Sequence, residues 1–311
     1  MGYSNYSNVA YTSASATFKT KSTDDIFTAN KTRTITLDLD PKKFEFRECR
    51  DSDNHPNAYP IIVGLDETGS MGQLPELMVK NELGTLMEEL LKHNIVDPSI
   101  LFMAFGDHLS DRHPIQIGQF ESDSDALLKW LTGFYLEGLG GGHNMESPSL
   151  VWYAAARHTV TDSLQKRNVK GCLFTISDEG CHSHLPGAKL KELFNLPEEL
   201  DDLSDDQLLQ EVQRQYHVFH IHAQEGSYLN DKTIFDYWKE KLPENHFLLL
   251  QHHSDVAKLI ASTVLLMQGL DLDTIAASIN TPAVTEVLVP LAKMQQGLRT
   301  GPGPNQGIIV L

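Results

Sequence analysis

The 311-residue sequence is poor in cysteine and in positive charge. Its three cysteines, Cys49, Cys172 and Cys181, are odd in number and widely spaced. That pattern excludes a disulfide framework and fits a reducing compartment. Lys and Arg number 25 against 42 Asp and Glu, a formal charge of −17. Wrapping nucleic acid rests on clustered Lys and Arg, so this balance disfavours it, as it disfavours adhesion to an anionic membrane surface. No apolar run approaches the ~20 residues of a membrane span. The opening stretch MGYSNYSNVAYTSASATF has no charged segment leading into an apolar one, so no secretory signal is read. There is no Walker loop, no dinucleotide fingerprint and no nucleophile–base pair. What remains is the expectation of a soluble cytoplasmic protein whose 41% hydrophobic content suffices for a core.

Residues 1–30, rich in Ser, Thr, Asn and Tyr, read as an extended arm. RTITLDL (33–39) alternates and is expected to form an edge strand. Residues 44–60 mix charge with turn formers, which predicts a loop lying over the domain. Beyond Pro60 the pattern changes. IIVGLD (61–66), ILFMAFGD (100–107), GCLFTISD (171–178), HVFHIHA (217–223) and HFLLLQ (246–251) are short apolar runs of the kind buried on both faces of a sheet. IQIGQF (115–120) alternates like a further strand. Leu77, Leu83, Leu86, Met87, Leu90 and Leu91 recur at helical spacing, and further helices are expected at about 123–132, 148–166, 204–215, 231–241 and 254–268. Strands alternating with helices predict an α/β fold: a doubly wound, mostly parallel six-stranded sheet with helices on both faces. The expected division is an arm and covering segment over 1–59, the α/β domain over 60–268, and a C-terminal helical segment with a mobile Gly/Pro-rich tail over 269–311.

Ligands of such a sheet bind beyond the carboxyl ends of the strands. The first buried strand runs into Asp66-Glu67-Thr68-Gly69-Ser70-Met71-Gly72, the second into Gly106-Asp107, and the fourth into Ser177-Asp178-Glu179-Gly180. Carboxylates and hydroxyls therefore gather on one rim. Hard oxygen donors of this kind suit Mg²⁺ or another hard divalent ion. Gly69 and Gly72 allow the tight turn that brings side chains 66, 68 and 70 together.

DETGSMG resembles the metal-ion-dependent adhesion site (MIDAS) of von Willebrand factor A (vWA) domains, whose first loop reads Asp-x-Ser/Thr-x-Ser. Those positions here are Asp66, Thr68 and Ser70, and the Asp that closes the family's fourth strand matches Asp178 in FTISDEG. The resemblance covers roughly 60 to 265. RECRDSDNHP, GDHLSDRHPIQIGQFESD and LGGGHNMES further resemble intracellular microbial and phage members of the group. It implies a divalent ion (Mg²⁺, or Mn²⁺ or Ca²⁺) held by these residues, with one coordination position left for an acidic side chain of a partner protein. Members of this kind are often associated with MoxR-like AAA+ ATPases. One corner departs from the pattern. The family supplies a Thr from a middle loop, and here the loop is Gly140-Gly141-Gly142-His143-Asn144-Met145-Glu146-Ser147. Asn144 is the first candidate for that corner, followed by His143, Glu146 and Ser147. Without a ligand role, the loop is a glycine-rich turn with Ser147 capping the next helix.

Other features have plainer readings. The acidic residues of 196–211 read as a solvated helix face. His217, His220 and His222 lie on one strand with no third ligand in view and read as packing. Cys181-His182-Ser183-His184 follows Asp178 and contains zinc-ligating types, but no closed set of four. Asp107 either caps its own loop or stands behind the ion's ligands. Trp130, Trp152 and Trp238 read as packing. The expectation is therefore a non-enzymatic, metal-dependent protein-binding module. The rival is a haloacid-dehalogenase-like Mg²⁺-dependent phosphotransferase, which needs a second Asp two residues after the first. Thr68 stands there, and a hydroxyl does not replace a carboxyl as general acid.

Overall fold

The computed structural model describes residues 5–71, 73–94, 96–138 and 144–300, apart from the side chains of Ser70 and of 298–300. Six strands form the central sheet: Ala58–Asp66 (β1), Asp97–Phe105 (β2), Ile115–Ile117 (β3), Gly171–Ser177 (β4), Tyr216–Ala223 (β5) and Phe247–Leu250 (β6). Their spatial order is β6-β5-β4-β1-β2-β3. All neighbouring pairs are parallel except β2 with β3. The order reverses between β1 and β4, the switch point at which doubly wound sheets form their ligand crevice.

β1 shows why the sheet is covered twice. Ile61, Val63 and Leu65 point into one apolar layer, which includes Leu83, Leu86 and Leu90 of the helix Leu83–Lys92 and much of Val256–Met267. Ile62 points into the other, shared with Leu150, Val151 and Trp152 of Pro148–Arg157 and with Leu208 and Val212 of Asp205–Val212. At Gly64 a Cβ would stand 3.0 Å from Val151 Cγ2, so the missing side chain lets that helix approach. The fold is thus the expected mostly parallel six-stranded α/β sheet between two helical layers. Among the described residues, no helix is long and apolar enough to cross a membrane.

Several local expectations are corrected. The supposed arm contains a helix, Asn8–Phe18, capped by Ser7. It docks through Tyr11, whose ring sits where Gly84 has no side chain: a Cβ there would meet Tyr11 Cε1 at 2.3 Å. One aromatic anchor orders a segment whose composition is otherwise polar. Residues 33–39 form no strand, and Leu37–Leu39 make a 3₁₀ turn instead. Within the supposed loop 44–60, Arg47–Cys49 pairs in parallel with Thr159–Thr161. That β-branched Thr-Val-Thr run splits the single helix expected over 148–166 into Pro148–Arg157 and Asp162–Arg167. The helix after β1 carries a π turn at Met78–Glu82, and Leu91 is exposed rather than on its apolar stripe. Helices Leu272–Ile279 and Pro282–Thr300 follow the sheet. The Gly/Pro-rich tail from residue 301 lies outside the described residues.

Candidate metal centre

β1 delivers Asp66 to the rim with its carboxylate fully buried. Oδ1 accepts the Thr68 backbone N–H at 2.7 Å, a local turn that only an Asp or Asn side chain makes readily. Oδ2 accepts the Ser177 hydroxyl at 2.6 Å. Ser177 ends β4, so one hydrogen bond ties the two central strands across the switch point. Burial pushes the Asp66 carboxyl up to about 7, against the pull of Ser177 and Thr68 and with the help of the nearby Asp178. Thr68 is buried beside it. Ser70 lies in the 3₁₀ turn Gly69–Met71, and its side chain is outside the described set.

Asp178 is also fully buried. Its Oδ2 accepts backbone N–H groups of Ser227 and Tyr228 from the loop after β5. The loop comes this close because residue 226 is glycine: a Cβ there would lie 2.2 Å from Asp178 Oδ2. Asp66, Thr68 and Asp178 therefore meet at one corner.

The corner holds more acid than the expected ligand set: Glu146 was a lower-ranked candidate for the middle-loop position, and Glu67 and Glu179 were not in the set. Glu67, Glu146 and Glu179 are all buried. Glu67 Oε2 accepts Gln116 Nε2 at 2.6 Å. Its Oε1, Glu146 Oε2 and Glu179 Oε2 have no hydrogen-bond partner. Burial, then the charge of Asp111, holds Glu67 well above the ordinary carboxyl range. Burial and the charge of Asp66 raise Glu146 and Glu179, which also hydrogen-bond each other, an arrangement that needs a proton on one of them. Among the described residues, Asp66, Glu67, Glu146 and Glu179 form no ion pair with Lys or Arg. Buried orphaned carboxyl oxygens without a basic partner are costly unless protonated or facing a cation. The all-oxygen donor set fits a hard divalent ion. Asp-Glu closes or follows both central strands, at 66–67 and at 178–179, and that twin was the signal for Glu67 and Glu179.

The middle loop behaves differently from its first reading. Asn144 Nδ2 lies 3.4 Å from Asp231 Oδ2, and Asp231 caps the helix Lys232–Lys241. Glu146, two residues on, is the one that senses Asp66. Gly140, Gly141, Gly142 and His143 lie outside the described residues. Ser147 precedes Pro148–Arg157 without capping it. Its hydroxyl instead accepts the His108 backbone N–H at 3.0 Å and lies 2.7 Å from His108 Nδ1.

Asp107 both caps its loop and reaches across the rim. It accepts the Leu109 N–H at 3.0 Å, the Ser110 hydroxyl at 3.0 Å, and has His182 Nε2 at 2.9 Å. Burial would raise this carboxyl, but the bonds from His182, Leu109 and Ser110 outweigh it and hold it at about 2. The neighbouring zinc-type run is not assembled as a set: Cys181 is buried with Sγ turned to the His182 carbonyl, and His184 is exposed. His220 stacks on Trp238 at 3.6 Å and His222 meets Phe235 edge-on at 4.8 Å, so both act in packing. Trp152 and Trp238 are fully buried and Trp130 packs at the margin of the core. The acidic run is solvated except at Asp205, which is buried against Lys241 Nζ at 2.9 Å and the Tyr237 hydroxyl at 2.7 Å.

No family model and no curated protein matches the chain. Among solved structures it is similar to the pilus adhesin SpaC from Lactobacillus rhamnosus GG in an open conformation, with a TM-score of 0.44 and 9% identity over 67% of this chain and 30% of that one. Proximal thread matrix protein 1 from the mussel byssus gives a TM-score of 0.43 and 11% identity over 73% of this chain and 51% of that one. The vWF domain of the type V pili tip protein Mfa5 from Porphyromonas gingivalis gives 0.40 and 12% identity over 71% of this chain and 94% of that one. The chain thus spans well under two thirds of the first two.

Proposed function

We propose that this chain is a non-enzymatic, cytoplasmic protein-binding module of the vWA kind whose binding depends on a divalent cation. The observation that carries the reading is the set of buried, proton-demanding carboxyls of Asp66, Glu67, Glu146 and Glu179, which among the described residues form no ion pair with Lys or Arg. Asp66, Thr68, Ser70 and Asp178 would hold Mg²⁺, or Mn²⁺ or Ca²⁺, with the Glu146–Glu179 pair behind them. A bound ion would supply positive charge and an exchangeable position for an acidic side chain of a partner. The chain's own part is to present that position. Ser177 and the Thr68 amide fix the orientation of Asp66, and the Ser227 and Tyr228 amides fix Asp178. An AAA+ ATPase of the MoxR-like kind is the partner class proposed. Three buried free cysteines accord with a reducing compartment.

The test is calorimetric titration of chelator-stripped protein with Mg²⁺ and Mn²⁺, followed by partner capture with and without chelator. Saturable binding that Asp66→Ala and Asp178→Ala abolish is expected, with capture lost in chelator. Capture at full strength in chelator refutes the bridging role. Mg²⁺-dependent hydrolysis of generic phosphate esters, lost in Asp66→Ala, would favour the phosphotransferase instead.

A further inference from the structure

A cleft of about 300 Å³ opens where three segments meet: the turn residues 34–42, the loop from β2 into β3, and the helix Gly187–Phe194. Ile35, Leu37, Pro41, Ile115 and Leu193 give it an apolar lining. Lys42, Arg112 and His113 stand around that lining, together with Asp40 and Glu192. One loop joins the cleft to the rim: Asp107 begins it at the end of β2, and Arg112 and His113 end it in the cleft.

The two acids of the cleft have partners and the two cations do not. Asp40 Oδ1 accepts the Lys42 backbone N–H at 3.0 Å, and Glu192 Oε2 faces Lys189 Nζ at 3.7 Å. Glu137 takes the Arg112 backbone N–H at 3.1 Å rather than its guanidinium. Among the described residues the exposed side chains of Lys42 and Arg112 form no ion pair. Burial, then the charge of Arg112, lowers the His113 imidazole, which leaves the positive charge of the cleft to Lys42 and Arg112. Free cations beside an apolar floor, in a chain of formal charge −17, fit a ligand that is acidic and apolar at once. The shape narrows the choice further. Pockets for small molecules enclose most of the ligand's surface. Here Leu37 is 68% exposed and both cationic walls are open to solvent, so the cleft covers one side chain of a longer chain.

We propose that this cleft is a docking site for an acidic linear segment of a protein partner. One large apolar side chain of that segment fills the lining, and adjacent Asp or Glu carboxylates pair with Arg112 and Lys42, Arg112 by its two-pronged guanidinium. The inference goes beyond the cation reading and does not depend on it, because none of Asp66, Thr68, Ser70 or Asp178 lines the cleft.

The experiment is a methyl NMR titration of the full chain in chelator with a blocked Gly-Glu-Leu-Glu-Gly peptide. Saturable shifts at Ile35, Ile115 and Leu193 are expected, and monovalent salt should weaken them. Peptides with alanine for the leucine or lysine for the glutamates should bind about tenfold more weakly or not at all. The double variant Lys42→Glu, Arg112→Glu should weaken the acidic peptide by about tenfold or more and gain affinity for the lysine peptide, with circular dichroism unchanged. Asp66→Asn should bind the acidic peptide as wild type does. Absence of saturable shifts in wild type, equal binding of the lysine peptide, or unchanged affinity in the double variant overturns the site. Isocaproate, which carries a leucine-like chain and one carboxylate, is the small-molecule arm. Saturation of the same methyls by isocaproate as tightly as by the peptide overturns the peptide assignment in favour of a small carboxylate.

Discussion

Asp66 and Asp107 stand at the ends of neighbouring parallel strands, and both are fully buried. Yet the first carboxyl is pushed up to about 7 and the second is held at about 2. Neither is exposed, but Asp66 is packed more deeply among protein atoms, so its greater desolvation and the different neighbours together set the contrast. Asp66 receives a backbone N–H and a serine hydroxyl while facing Asp178. Asp107 receives an N–H, a hydroxyl and an imidazole. His182 bonds Asp107 at one corner, whereas among the described residues Asp66 forms no ion pair with Lys or Arg, so the Asp66 carboxyl favours a proton or an external cation.

The largest expected effect tests the proton demand. A raised acid binds more protons folded than unfolded between its two values, so stability falls as pH rises through that window. For Asp66 the window runs from the unfolded 3.8 to about 7, and the full cost above it is about 4 kcal/mol. Glu146 and Glu179 add in the same direction. Urea denaturation of stripped protein should show about 3 kcal/mol of that cost appearing between pH 5 and pH 8, and saturating Mg²⁺ should flatten the slope. A flat profile in the stripped protein would break the contrast with Asp107. The second test swaps the corners. In stripped protein at alkaline pH, Asp66→Asn should stabilise by about 2 kcal/mol by removing an uncompensated charge, while Asp107→Asn should destabilise by about 2 kcal/mol by weakening charge-assisted hydrogen bonds. Effects of equal sign in thermal melts would mean that the two environments do not differ as described.

The third test concerns Asp178. Gly226→Ala places a methyl group into its carboxylate, so Mg²⁺ affinity measured by calorimetry should fall by about tenfold, about 1.4 kcal/mol. The smallest effect is expected at Asn144. Its amide makes one long contact to Asp231, so Asn144→Ala should alter stability by no more than about 0.5 kcal/mol and leave Mg²⁺ affinity within about twofold. A large loss of Mg²⁺ binding there would return Asn144 to the ion.

The central sheet was legible because β1, β2, β4 and β5 are nearly unbroken apolar runs, a pattern that only a doubly covered strand produces. Asp66, Thr68 and Asp178 were legible because they follow such runs. The glutamates beside them were not. Glu is ordinarily exposed, so nothing short of the paired Asp-Glu dipeptides distinguishes Glu67 and Glu179 from surface residues. The Asn8–Phe18 helix escaped for a different reason. Its order depends on Tyr11 meeting Gly84 and donating to the Val79 carbonyl at 3.3 Å, a long-range fit that no local pattern announces. The strand expected over 33–39 failed because alternation in a short segment does not provide a partner edge. Likewise Asp205 left the solvated face only because Lys241 and Tyr237 reach it from another helix.

The edge strand β3 is three residues long and runs antiparallel to β2. Arg47 lies against it: its buried guanidinium donates to the Ile117 carbonyl at 3.0 Å and to the Asp38 carbonyl, and rests 3.5 Å from the Phe44 ring centre. An open sheet edge is a template for a second chain, and unprotected edges seed self-association. Here the strand is too short to extend far, and a cation packed on an aromatic ring takes up one of its acceptors. The same side chain that orders residues 38–47 therefore also acts as a guard against edge-to-edge aggregation, a role that concerns the protein's behaviour at high concentration rather than its partners.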